Sequence, residues 1–422
     1  LLREGGAWGA DRARTLGGLV GSADVLHWAR DANRHTPALH PHDRAGNRID
    51  RVDYHPAWHH LMALAMEHGV HALPWRYPQP GAHVVKAALA YLMNQGENGV
   101  CCPMAMSFAA VPALRAEPEL AAAWEPRLLS LDYDSRFIPA AEKRGALIGM
   151  AMTEKQGGSD VRTNSTQAVR TQEDGEGVYR LTGHKWFCSA PMSDAFLTLA
   201  QTDGGLTCFL VPRVLSDGAP NRFLLQRLKD KLGNRSNASA EVEYSDTLAW
   251  RVGGEGDGVR TIIPMVHHTR LDAAISAAAV MRQAVVQALH HAAHRNAFGA
   301  RLADQPLMQN VLADLALESE AAATMAMRLA RGFDDATADP AQEPFVRLAT
   351  ALTKFWICKR APVVAAEAME CLGGNGYVED SPMPRLYREA PVNGIWEGSG
   401  KVNCLDILRT LAREPDALAA MV

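Results

Sequence analysis

Residues 152–164 read MTEKQGGSDVRTN, and the hydrophobic period of the chain differs on the two sides of this stretch. Before it, over about 54–144, apolar residues recur at the spacing of an α-helix. From Leu147 onward, short segments with strand periodicity and glycine-rich turns replace that pattern, and from about Gly258 the helical spacing returns. The order α, β, α predicts an α+β fold with three domains.

Residues 1–146 are predicted to form an N-terminal α-helical domain. Within it, His55-Pro56 opens a run with apolar side chains at i, i+3, i+4 and i+7, and a second run covers 84–93. Three prolines are expected to break the stretch that follows into short pieces: Pro103, Pro112 and Pro118.

Residues 147–255 are predicted to form a compact β-barrel or sandwich, because strands at this spacing build such domains. Glycine- and aspartate-rich turns divide the strands, such as the one at 173–177. The predicted strands are 147–152, 166–171, 178–182, 195–200, 206–211 and 241–244.

Residues 256–422 are predicted to form a C-terminal α-helical bundle. Three apolar segments exceed the length of ordinary helices: 267–297, 305–331 and 345–372. Helices this long and apolar imply more than one buried face, and therefore oligomerisation.

The composition is that of an ordinary soluble globular protein, with 47% hydrophobic and 21% charged residues among 422. A net charge of −4 gives the chain no bulk attraction for nucleic acid. No window supplies the ~20 uninterrupted apolar residues of a membrane span. Seven cysteines, an odd number, do not resemble a disulfide framework, so a cytoplasmic protein is expected. The chain begins at Leu1 without a signal-peptide pattern, and we expect it to be part of a longer protein.

Histidines are concentrated near the N-terminus, where ten of the 16 lie between His27 and His83. Spacings such as His55-x3-His59 can place two imidazoles on one helix face, as metal sites require. This stretch contains no cysteine and no set that closes a ligand sphere. Capping, core and surface roles are therefore the preferred interpretation, and no metal is predicted.

One carboxylate stands out near the C-terminal end, where residues 395–400 read IWEGSG. A carboxylate on a glycine-flanked loop can be pushed into a pocket and desolvated, which shifts its pKa toward that of a general base. On this hexapeptide alone, a solvated loop position for Glu397 is the favoured interpretation.

Two segments of the β zone carry residue types suited to a ligand. In 152–160, a Gly-Gly-Ser turn can present backbone N–H groups and the Ser159 hydroxyl to a pyrophosphate, although an ordinary hairpin turn fits equally well. In 184–189 (HKWFCS), two aromatic and two small polar side chains can enclose a planar heterocycle, whereas a barrel core is favoured on this evidence alone.

Two further segments lie at the ends of long predicted helices. Arg295, in 295–299 (RNAFG), either complements the helix dipole or reaches a phosphate. In 372–377 (LGGNGY), three glycines in four residues exceed the needs of a helix C-cap and indicate close backbone approach to a ligand or a neighbouring subunit.

Together and in this order, these segments resemble the acyl-CoA dehydrogenase family, and within it the AidB branch, the flavoproteins of the bacterial DNA-alkylation response. The likeness covers most of the chain from Trp58 and is carried by 152–164, by 228–238 (LKDKLGNRSNA) and by 385–400 (RLYREAPVNGIWEGSG). The architecture of that family, an α domain, a β domain and a C-terminal α bundle, matches the three predicted zones.

The resemblance implies FAD as the cofactor. Thr153 and Ser159 would contact the flavin and its pyrophosphate, and Trp186 would pack near the isoalloxazine ring. Cys188 and Ser189 stand where many relatives carry Thr-Asn beside flavin N5, a departure that would alter hydrogen bonding to the flavin. The remaining contacts implied within this set are Met152, Gly158 and Ser399.

Other implied contacts cross between subunits. Arg295, with Phe298 beside it, matches an arginine that reaches the FAD of a neighbouring subunit. Gly373 and Gly374 match glycines that approach the cofactor of a partner. Such crossing contacts imply a homotetramer built from dimers.

Glu397 matches the catalytic base of the family, which removes the α-proton of an acyl thioester while the β-hydride passes to flavin N5. The isovaleryl and long-chain branches place their base one residue before a helix arginine, where this chain has Thr269 before Arg270, so only Glu397 is available. The resemblance thus implies an FAD-dependent dehydrogenase of short or branched acyl-CoA thioesters.

The alternative is a DNA-binding protective flavoprotein in which FAD is mainly structural. In the AidB branch, binding of double-stranded DNA is associated with a further C-terminal segment. We expect most of that segment to be absent from a chain that stops at Val422.

Overall fold

The computed structural model describes residues 1–171, 177–414 and 416–421 of the chain. Helices predominate at both ends and a β-barrel lies between them, which confirms the expected order. Apart from Gly177, the turn expected at 173–177 lies outside the described residues.

The N-terminal part is helical, with one hairpin that the sequence pattern did not predict. The expected helix start at His55-Pro56 is confirmed, since His55 Nδ1 accepts a hydrogen bond from the Ala57 N–H at 3.3 Å and Pro56 begins the helix. The elements are α1 (Ala10–Val20), α2 (Ala23–Arg34), β1 (Ala38–His42), β2 (Arg48–Asp53), α3 (Pro56–Glu67), α4 (Leu73–Arg76), α5 (Ala82–Gly96), α6 (Cys101–Leu114) and α7 (Pro118–Leu128).

Two of the three prolines lie inside α6, so the breaks expected at Pro103 and Pro112 are wrong. Pro103 occupies the first turn, where a backbone N–H has no intrahelical partner to lose. Pro112 cannot donate to the Phe108 carbonyl, and the Trp75 indole N–H donates to that oxygen at 2.9 Å instead. Pro118 behaves as expected and begins α7.

The middle part consists of strands that close into a small barrel. They are β3 (Ile148–Ala151), β4 (Gln167–Arg170), β5 (Val178–Ser189), β6 (Ala195–Thr202), β7 (Gly205–Pro212), β8 (Phe223–Leu228) and β9 (Ser239–Val252). The ring runs β6-β7-β9-β5-β4 and returns from β4 to β6, while β3 pairs with β6 and β8 with β9. The sequence pattern missed β8 because its apolar residues do not alternate with polar ones.

Three long helices follow where they were expected: α8 (Gly258–His294), α9 (Pro306–Ala338) and α10 (Glu343–Cys371). The bounds of α10 lie within two residues of the expected ones, whereas α8 begins nine residues earlier and α9 ends seven residues later than expected. A short hairpin of β10 (Asn296–Ala297) and β11 (Ala300–Arg301) separates α8 from α9. The chain then forms α11 (Gly374–Tyr377), α12 (Met383–Glu389), α13 (Gly400–Arg413) and α14 (Asp416–Ala419).

The hydrophobic cores join parts of the chain that are distant in sequence. One core packs α5 against the three long helices, with Leu89, Ile275 and Ile357 fully buried. Another packs α6 against the barrel and the start of α8, through residues such as Met106 and Met265. The N- and C-terminal helices therefore share one core, and the barrel packs against both.

The histidines of the N-terminal part take capping, core and surface roles. His55 caps α3, His83 is buried with Nδ1 3.0 Å from Asp334, and His27 lies at the surface 3.2 Å from Asp31. All seven cysteines are free thiols. Within the described part of the chain, no helix is long and apolar enough to cross a membrane.

Candidate active site

Glu397 lies on a tight loop that precedes α13. Its backbone φ is +57°, a left-handed conformation that costs a non-glycine residue about 1 kcal/mol or more. Gly398 follows at φ +90°, and a Cβ there would lie 3.2 Å from Val402, so this position requires glycine. Ser399 occupies the N-cap position of α13. The loop is therefore a strained turn that its surroundings must hold.

The side chain and backbone of Glu397 are both held from α8. Thr269 Oγ1 donates a hydrogen bond to Glu397 Oε2 at 2.6 Å. The next residue, Arg270, donates from Nε to the Glu397 carbonyl oxygen at 3.0 Å. Arg270 Nη1 also donates to Asp406 at 2.6 Å, which ties α8 to α13. One turn of α8 thus fixes the position of the carboxylate.

A second helix, α10, supports the same loop through Lys354, which is 1% exposed. Its Nζ donates to the carbonyl oxygens of Gly398 at 2.9 Å and Asn393 at 3.1 Å. Asn403 Nδ2, from α13, donates to the Gly398 carbonyl oxygen at 2.8 Å. Burial lowers the pKa of Lys354, although the Glu397 carboxylate opposes this shift. The loop is accordingly tied to three helices.

Burial raises the pKa of Glu397 above the ordinary value of a glutamate. The hydrogen bond from Thr269 and the positive charges of Lys354 and Arg270 act in the opposite direction. Glu397 nevertheless keeps part of its surface exposed. A reachable carboxylate with a raised pKa is suited to taking up a proton from a ligand.

The Glu397 loop packs against the same hydrophobic core as the start of α6 and the residue after β5, through Trp396, Cys102 and Ala190. Burial raises the pKa of Cys102, at the start of α6, to about 11. Lys231 and a hydrogen bond with Ser189 oppose this rise, and the charge of Glu397 adds to it. These influences place Cys102 among residues of both predicted segments. The structure therefore brings 184–189 and 395–400 together.

Trp186 connects two of the predicted ligand segments. Its backbone N–H donates to the Thr153 carbonyl oxygen at 2.8 Å, which joins 184–189 to the turn at 152–160. The Trp186 ring is partly exposed, and Lys229 Nζ lies 3.4 Å from its centroid. Lys155 Nζ lies 5.2 Å from the same centroid. An aromatic surface with adjacent cations is suited to a planar ring that carries negative charge.

The turn at 152–160 exposes Gly158 and Ser159, while Thr153 is half-buried. A Cβ on Gly158 would lie 3.5 Å from Thr153 Cγ2, so the two ends of the turn are close together. Hydroxyl groups, exposed backbone and nearby cations together form a donor set for phosphate oxygens. With Trp186 beside them, these residues fit a planar heterocycle linked to a pyrophosphate, as in FAD.

The turn is anchored by a buried ion pair that the sequence pattern did not single out. Glu154 is 3% exposed and lies 2.8 Å from Lys185 Nζ. Burial acts to raise the pKa of Glu154, but the charge and hydrogen bond of Lys185 outweigh it and hold this pKa at about 2. Thr166 Oγ1 donates to the same carboxylate at 2.6 Å. The ion pair fixes the turn to β5.

The remaining predicted contacts near Trp186 differ in how far their side chains are exposed to a ligand. Cys188 is fully buried in the barrel core, so its side chain cannot contact a ligand and only its backbone could. Ser189 is partly exposed, with Oγ 3.2 Å from Ser239 Oγ. Met152 is half-buried and packs against the same core as Trp396.

Arg295 and Phe298 lie far from Glu397 within one chain. Arg295 follows the end of α8, and the distance along this helix from Thr269 to its last residue is about 37 Å. Phe298 forms the tip of the β10–β11 hairpin, where it is 99% exposed at φ +53°. Neither residue joins the site of its own chain.

Gly373 and Gly374 are also separated from the Glu397 loop. They follow α10, about 25 Å along the helix from Lys354. A Cβ on either glycine would have no atom within 4 Å, and both residues are exposed. Their backbone is open to a ligand or to another molecule.

Several residues of the site were not predicted as members of it: Cys102, Arg270, Lys354 and Asn403. Thr269 was considered only as an absent base. Each lies on a helix whose sequence pattern indicates burial, and no local motif distinguishes it from a core residue. Arg270, Lys354 and Asn403 are marked by their hydrogen bonds to the 395–400 loop, and Cys102 by its response to the charge of Glu397; both signs require the tertiary structure.

Comparison with known proteins accounts for nearly the whole chain. Residues 1–135 match the family described as adaptive response protein AidB N-terminal domain. Residues 149–247 match the acyl-CoA dehydrogenase middle domain, and 256–412 match the acyl-CoA dehydrogenase C-terminal domain.

Individual relatives agree with these matches. The chain is 50% identical over 416 residues to the "Putative acyl-CoA dehydrogenase AidB" of Escherichia coli (strain K12), covering 98% of this chain and 76% of that protein. The structure of Caenorhabditis elegans ACDH-11 in complex with C11-CoA superposes with a TM-score of 0.87 at 31% identity, covering 94% of this chain and 68% of that one. A Mycobacterium smegmatis glutaryl-CoA dehydrogenase in complex with FADH2 shares the fold, with a TM-score of 0.75 at 19% identity, covering 97% of this chain and 95% of that one.

The chain thus spans about three quarters of the length of the bacterial relative and about two thirds of the nematode one. The half-buried carboxylate, the Trp186 segment and the three consecutive matches agree with one another. The chain belongs to the acyl-CoA dehydrogenase family of FAD-dependent oxidoreductases, and its N-terminal part is of the AidB type.

Proposed function

We propose that the protein catalyses the FAD-dependent α,β-dehydrogenation of a short or branched acyl-CoA thioester, with Glu397 as the base. The observation that carries this proposal is Glu397, a partly exposed residue whose carboxylate has a pKa raised by burial and is held at 2.6 Å by Thr269. These are the properties that a base for a weakly acidic C–H bond requires.

The reaction removes a proton from the α-carbon and a hydride from the β-carbon, and a C=C bond forms between them. Bound FAD supplies the acceptor for the hydride. Glu397 takes the α-proton onto its carboxylate and becomes neutral. Burial, which raises the pKa of Glu397, favours this neutral product state. Arg270 and Lys354 hold the loop through backbone carbonyl oxygens, so they keep the base in place.

FAD would be held by residues from more than one copy of the chain. We expect Thr153, Ser159, Trp186 and Ser189 to contact the FAD that Glu397 faces, and the backbone hydrogen bond from Trp186 to Thr153 holds two of these contacts together. The sequence-predicted contacts at Met152, Gly158, Cys188 and Ser399 belong to the same proposal, Cys188 through its backbone alone. Because of their distance along α8 and α10, the contacts from a neighbouring copy would be Arg295, Phe298, Gly373 and Gly374.

The same reasoning supports a homotetramer. A groove of about 500 Å³ runs between α9 and α10. Leu317 and Val363 line it and are 66% and 55% exposed. Large exposed apolar side chains on two long helices indicate a surface that another copy covers. Light scattering should give a mass of four chains, and a monomeric mass would oppose both the tetramer and the shared FAD site.

A cationic cleft on α8 supports a CoA thioester as the substrate. It has a volume of about 710 Å³, and its charged lining residues are Arg162, Arg260, Arg347 and Asp257, which leaves an excess of positive charge. Arg347 also lies 3.2 Å from Glu414. Arg260 precedes Thr269 by nine residues, which places it about 13 Å away along the helix. The phosphates of CoA would bind at this cleft while the thioester reaches Glu397.

Anaerobic flavin bleaching tests the proposal. Purified protein with bound FAD is mixed with saturated acyl-CoA thioesters of short, branched and longer chains, including C11-CoA because the nematode relative was solved with it. At least one thioester should reduce the flavin, and Glu397→Gln should abolish the reduction while retaining FAD. If no thioester bleaches wild-type flavin, or if Glu397→Gln bleaches at the wild-type rate, the proposal fails.

We also propose a role in the response to DNA alkylation, supported by the AidB-type N-terminal match and the 50% identity to the bacterial relative. The net charge of −4 predicts weak, salt-sensitive binding of duplex DNA by these 422 residues. Fluorescence anisotropy with a labelled duplex at two salt concentrations tests this, and tight salt-independent binding would contradict it. A cytoplasmic location is part of the same proposal, since seven free thiols suit a reducing compartment.

A further inference from the structure

Lys231 is a largely enclosed cation that the proposed mechanism does not use. It lies between β8 and β9, within the segment 228–238 that carried part of the family resemblance. Its Nζ donates to the carbonyl oxygen of Asn237 at 2.7 Å and to Ser239 Oγ at 3.0 Å. Both hydrogen-bond acceptors are neutral, so neither of them offsets the positive charge of this half-buried ammonium.

The charge of Lys231 acts on Cys102, which lies at the start of α6. Burial lowers the pKa of Lys231 to about 8, while Cys102 and Glu389 oppose the shift. Lys231 in turn opposes the rise in the pKa of Cys102, which also responds to Ser189 and Glu397. The ammonium is therefore an electrostatic neighbour of the space between β5, α6 and the base.

The hydrogen bonds of Lys231 lead to Ser189. An ammonium has donors only, so Ser239 Oγ must accept from it. Ser239 lies directly opposite Ser189 in the β5–β9 pair, and the two hydroxyl oxygens are 3.2 Å apart. Ser239 is 5% exposed, and a buried hydroxyl hydrogen needs an acceptor, for which Ser189 Oγ is in reach. Cys102 is also hydrogen-bonded to Ser189, and because burial keeps Cys102 a thiol, its S–H donates to Ser189 Oγ. Ser189 is then left to donate its own hydrogen away from the strand pair, toward the candidate site.

We propose that Lys231 is a positioning residue for FAD: through Ser239 it holds the Ser189 hydroxyl as a donor directed at the bound cofactor, and its charge favours the reduced flavin. The inference rests on the FAD site of the proposed function, with Ser189 as one of its contacts. Reduction adds negative charge to the flavin ring system, and a fixed cation in an enclosed site stabilises that charge more than water does.

A purely structural role for Lys231 makes a different prediction. The hydrogen bond from Lys231 to the Asn237 carbonyl oxygen joins two residues of the loop between β8 and β9. A lysine that only stabilised this loop would affect folding without affecting the reduction potential of the flavin. The reduction equilibrium of bound FAD separates the two roles, because loop stability does not enter it.

The experiment measures the midpoint potential of bound FAD by titration with a reductant against a reference dye, together with its absorption spectrum and its dissociation constant. The variants are Lys231→Met, Lys231→Arg and Ser239→Ala, with Lys401→Met, an exposed lysine of α13, as the matched control. In Lys231→Met, the equilibrium should move toward oxidised flavin about tenfold, equivalent to about 30 mV for a two-electron couple. Ser239→Ala should shift it in the same direction by less, Lys231→Arg should restore it, and Lys401→Met should match wild type.

An unchanged potential and spectrum in Lys231→Met would overturn the inference, as would an equal shift in Lys401→Met. If Lys231→Met does not fold, Ser239→Ala decides, and a wild-type potential in that variant overturns the inference. The titration uses no acyl-CoA, so a failure of thioester turnover does not affect its outcome. Conversely, thioester bleaching with a normal Lys231→Met potential would leave the proposed function intact and remove only this inference.

Discussion

Replacing Thr269 with valine removes the hydroxyl that lies 2.6 Å from Glu397 and keeps a side chain of similar volume. This hydroxyl has one hydrogen and two acceptors in reach, Glu397 Oε2 and the Val266 carbonyl oxygen at 3.1 Å. When Glu397 is ionised, the hydroxyl donates to the carboxylate. When Glu397 is protonated, the carboxyl group donates to the hydroxyl, which turns to Val266. Thr269 therefore stabilises both forms of the base, but to different extents.

The difference sets the size of the expected effect. A hydrogen bond to a charged group contributes about 1.5–3 kcal/mol, and one between neutral groups contributes about 1 kcal/mol. Loss of the hydroxyl should therefore disfavour ionised Glu397 by about 1 kcal/mol, which corresponds to a rise of nearly one unit in the pKa of Glu397. This rise adds to the one that burial already causes in the pKa of Glu397.

The assay is the rate of anaerobic flavin bleaching by a saturating thioester, measured by stopped flow across a range of pH. Only ionised Glu397 can accept the α-proton, so the rate should rise with pH and level off above the pKa of the base. In Thr269→Val, the midpoint of this rise should lie about one pH unit above that of wild type, with a similar plateau. Thr269→Ser, which keeps the hydroxyl, should follow wild type. An unshifted midpoint in Thr269→Val, or an equal shift in Thr269→Ser, would refute the role assigned to this hydrogen bond.

Two further predictions concern stability and assembly. Burial raises the pKa of Glu389 from 4.5 to about 7, with the charge of Glu97 adding to the rise. This group therefore favours folding fully below about pH 4.5, and the contribution, about 3 kcal/mol, is lost as the pH rises through about 7. Between about pH 4.5 and 7, the melting temperature of Glu389→Gln should decline less than that of wild type, and parallel declines would contradict the assignment. Phe298 is 99% exposed and contributes little to the fold of its own chain. Phe298→Ser should leave the melting temperature of a single chain unchanged. It should weaken both tetramer assembly, measured by light scattering, and FAD binding, measured by flavin fluorescence, about tenfold or more. Unchanged assembly and FAD affinity would argue against a contact between copies.

The sequence-based predictions succeeded where the interactions that form an element lie between residues close together in the chain. The three long helices were predicted because their apolar spacing persists over many turns, although the start of α8 and the end of α9 were missed by nine and seven residues. The helix start at His55-Pro56 was also predicted, since a cap and an N1 proline act within one turn. In contrast, Pro103 and Pro112 were expected to break a helix that in fact includes them. The partner that makes Pro112 tolerable is Trp75, which lies 33 residues away from the carbonyl it satisfies.

In the candidate site, too, features set by neighbouring residues were predicted and contacts between distant residues were not. Glu397 and the segments around Thr153 and Trp186 were recognised from residue types, glycines and order along the chain. The hydrogen bond from Thr269 to Glu397 spans 128 residues, and the bond from Lys354 to Gly398 spans 44. Nothing in the local sequence of α8 or α10 marks these two residues, because each lies in a helix whose pattern indicates only burial.

The sequence by itself determined the order of helical and strand zones, because periodicity and turns are read along the chain, and its combined motifs determined the family. The same motifs indicated Glu397 as the candidate base through the family resemblance. Only the tertiary structure decided that Glu397 is enclosed, strained at φ +57° and held by α8 and α10. It also decided that Arg295 and Gly373 lie too far along their helices to serve the site of their own chain. The physical reason is that desolvation, pKa and reach depend on which distant elements pack together, and packing is a property of the whole fold.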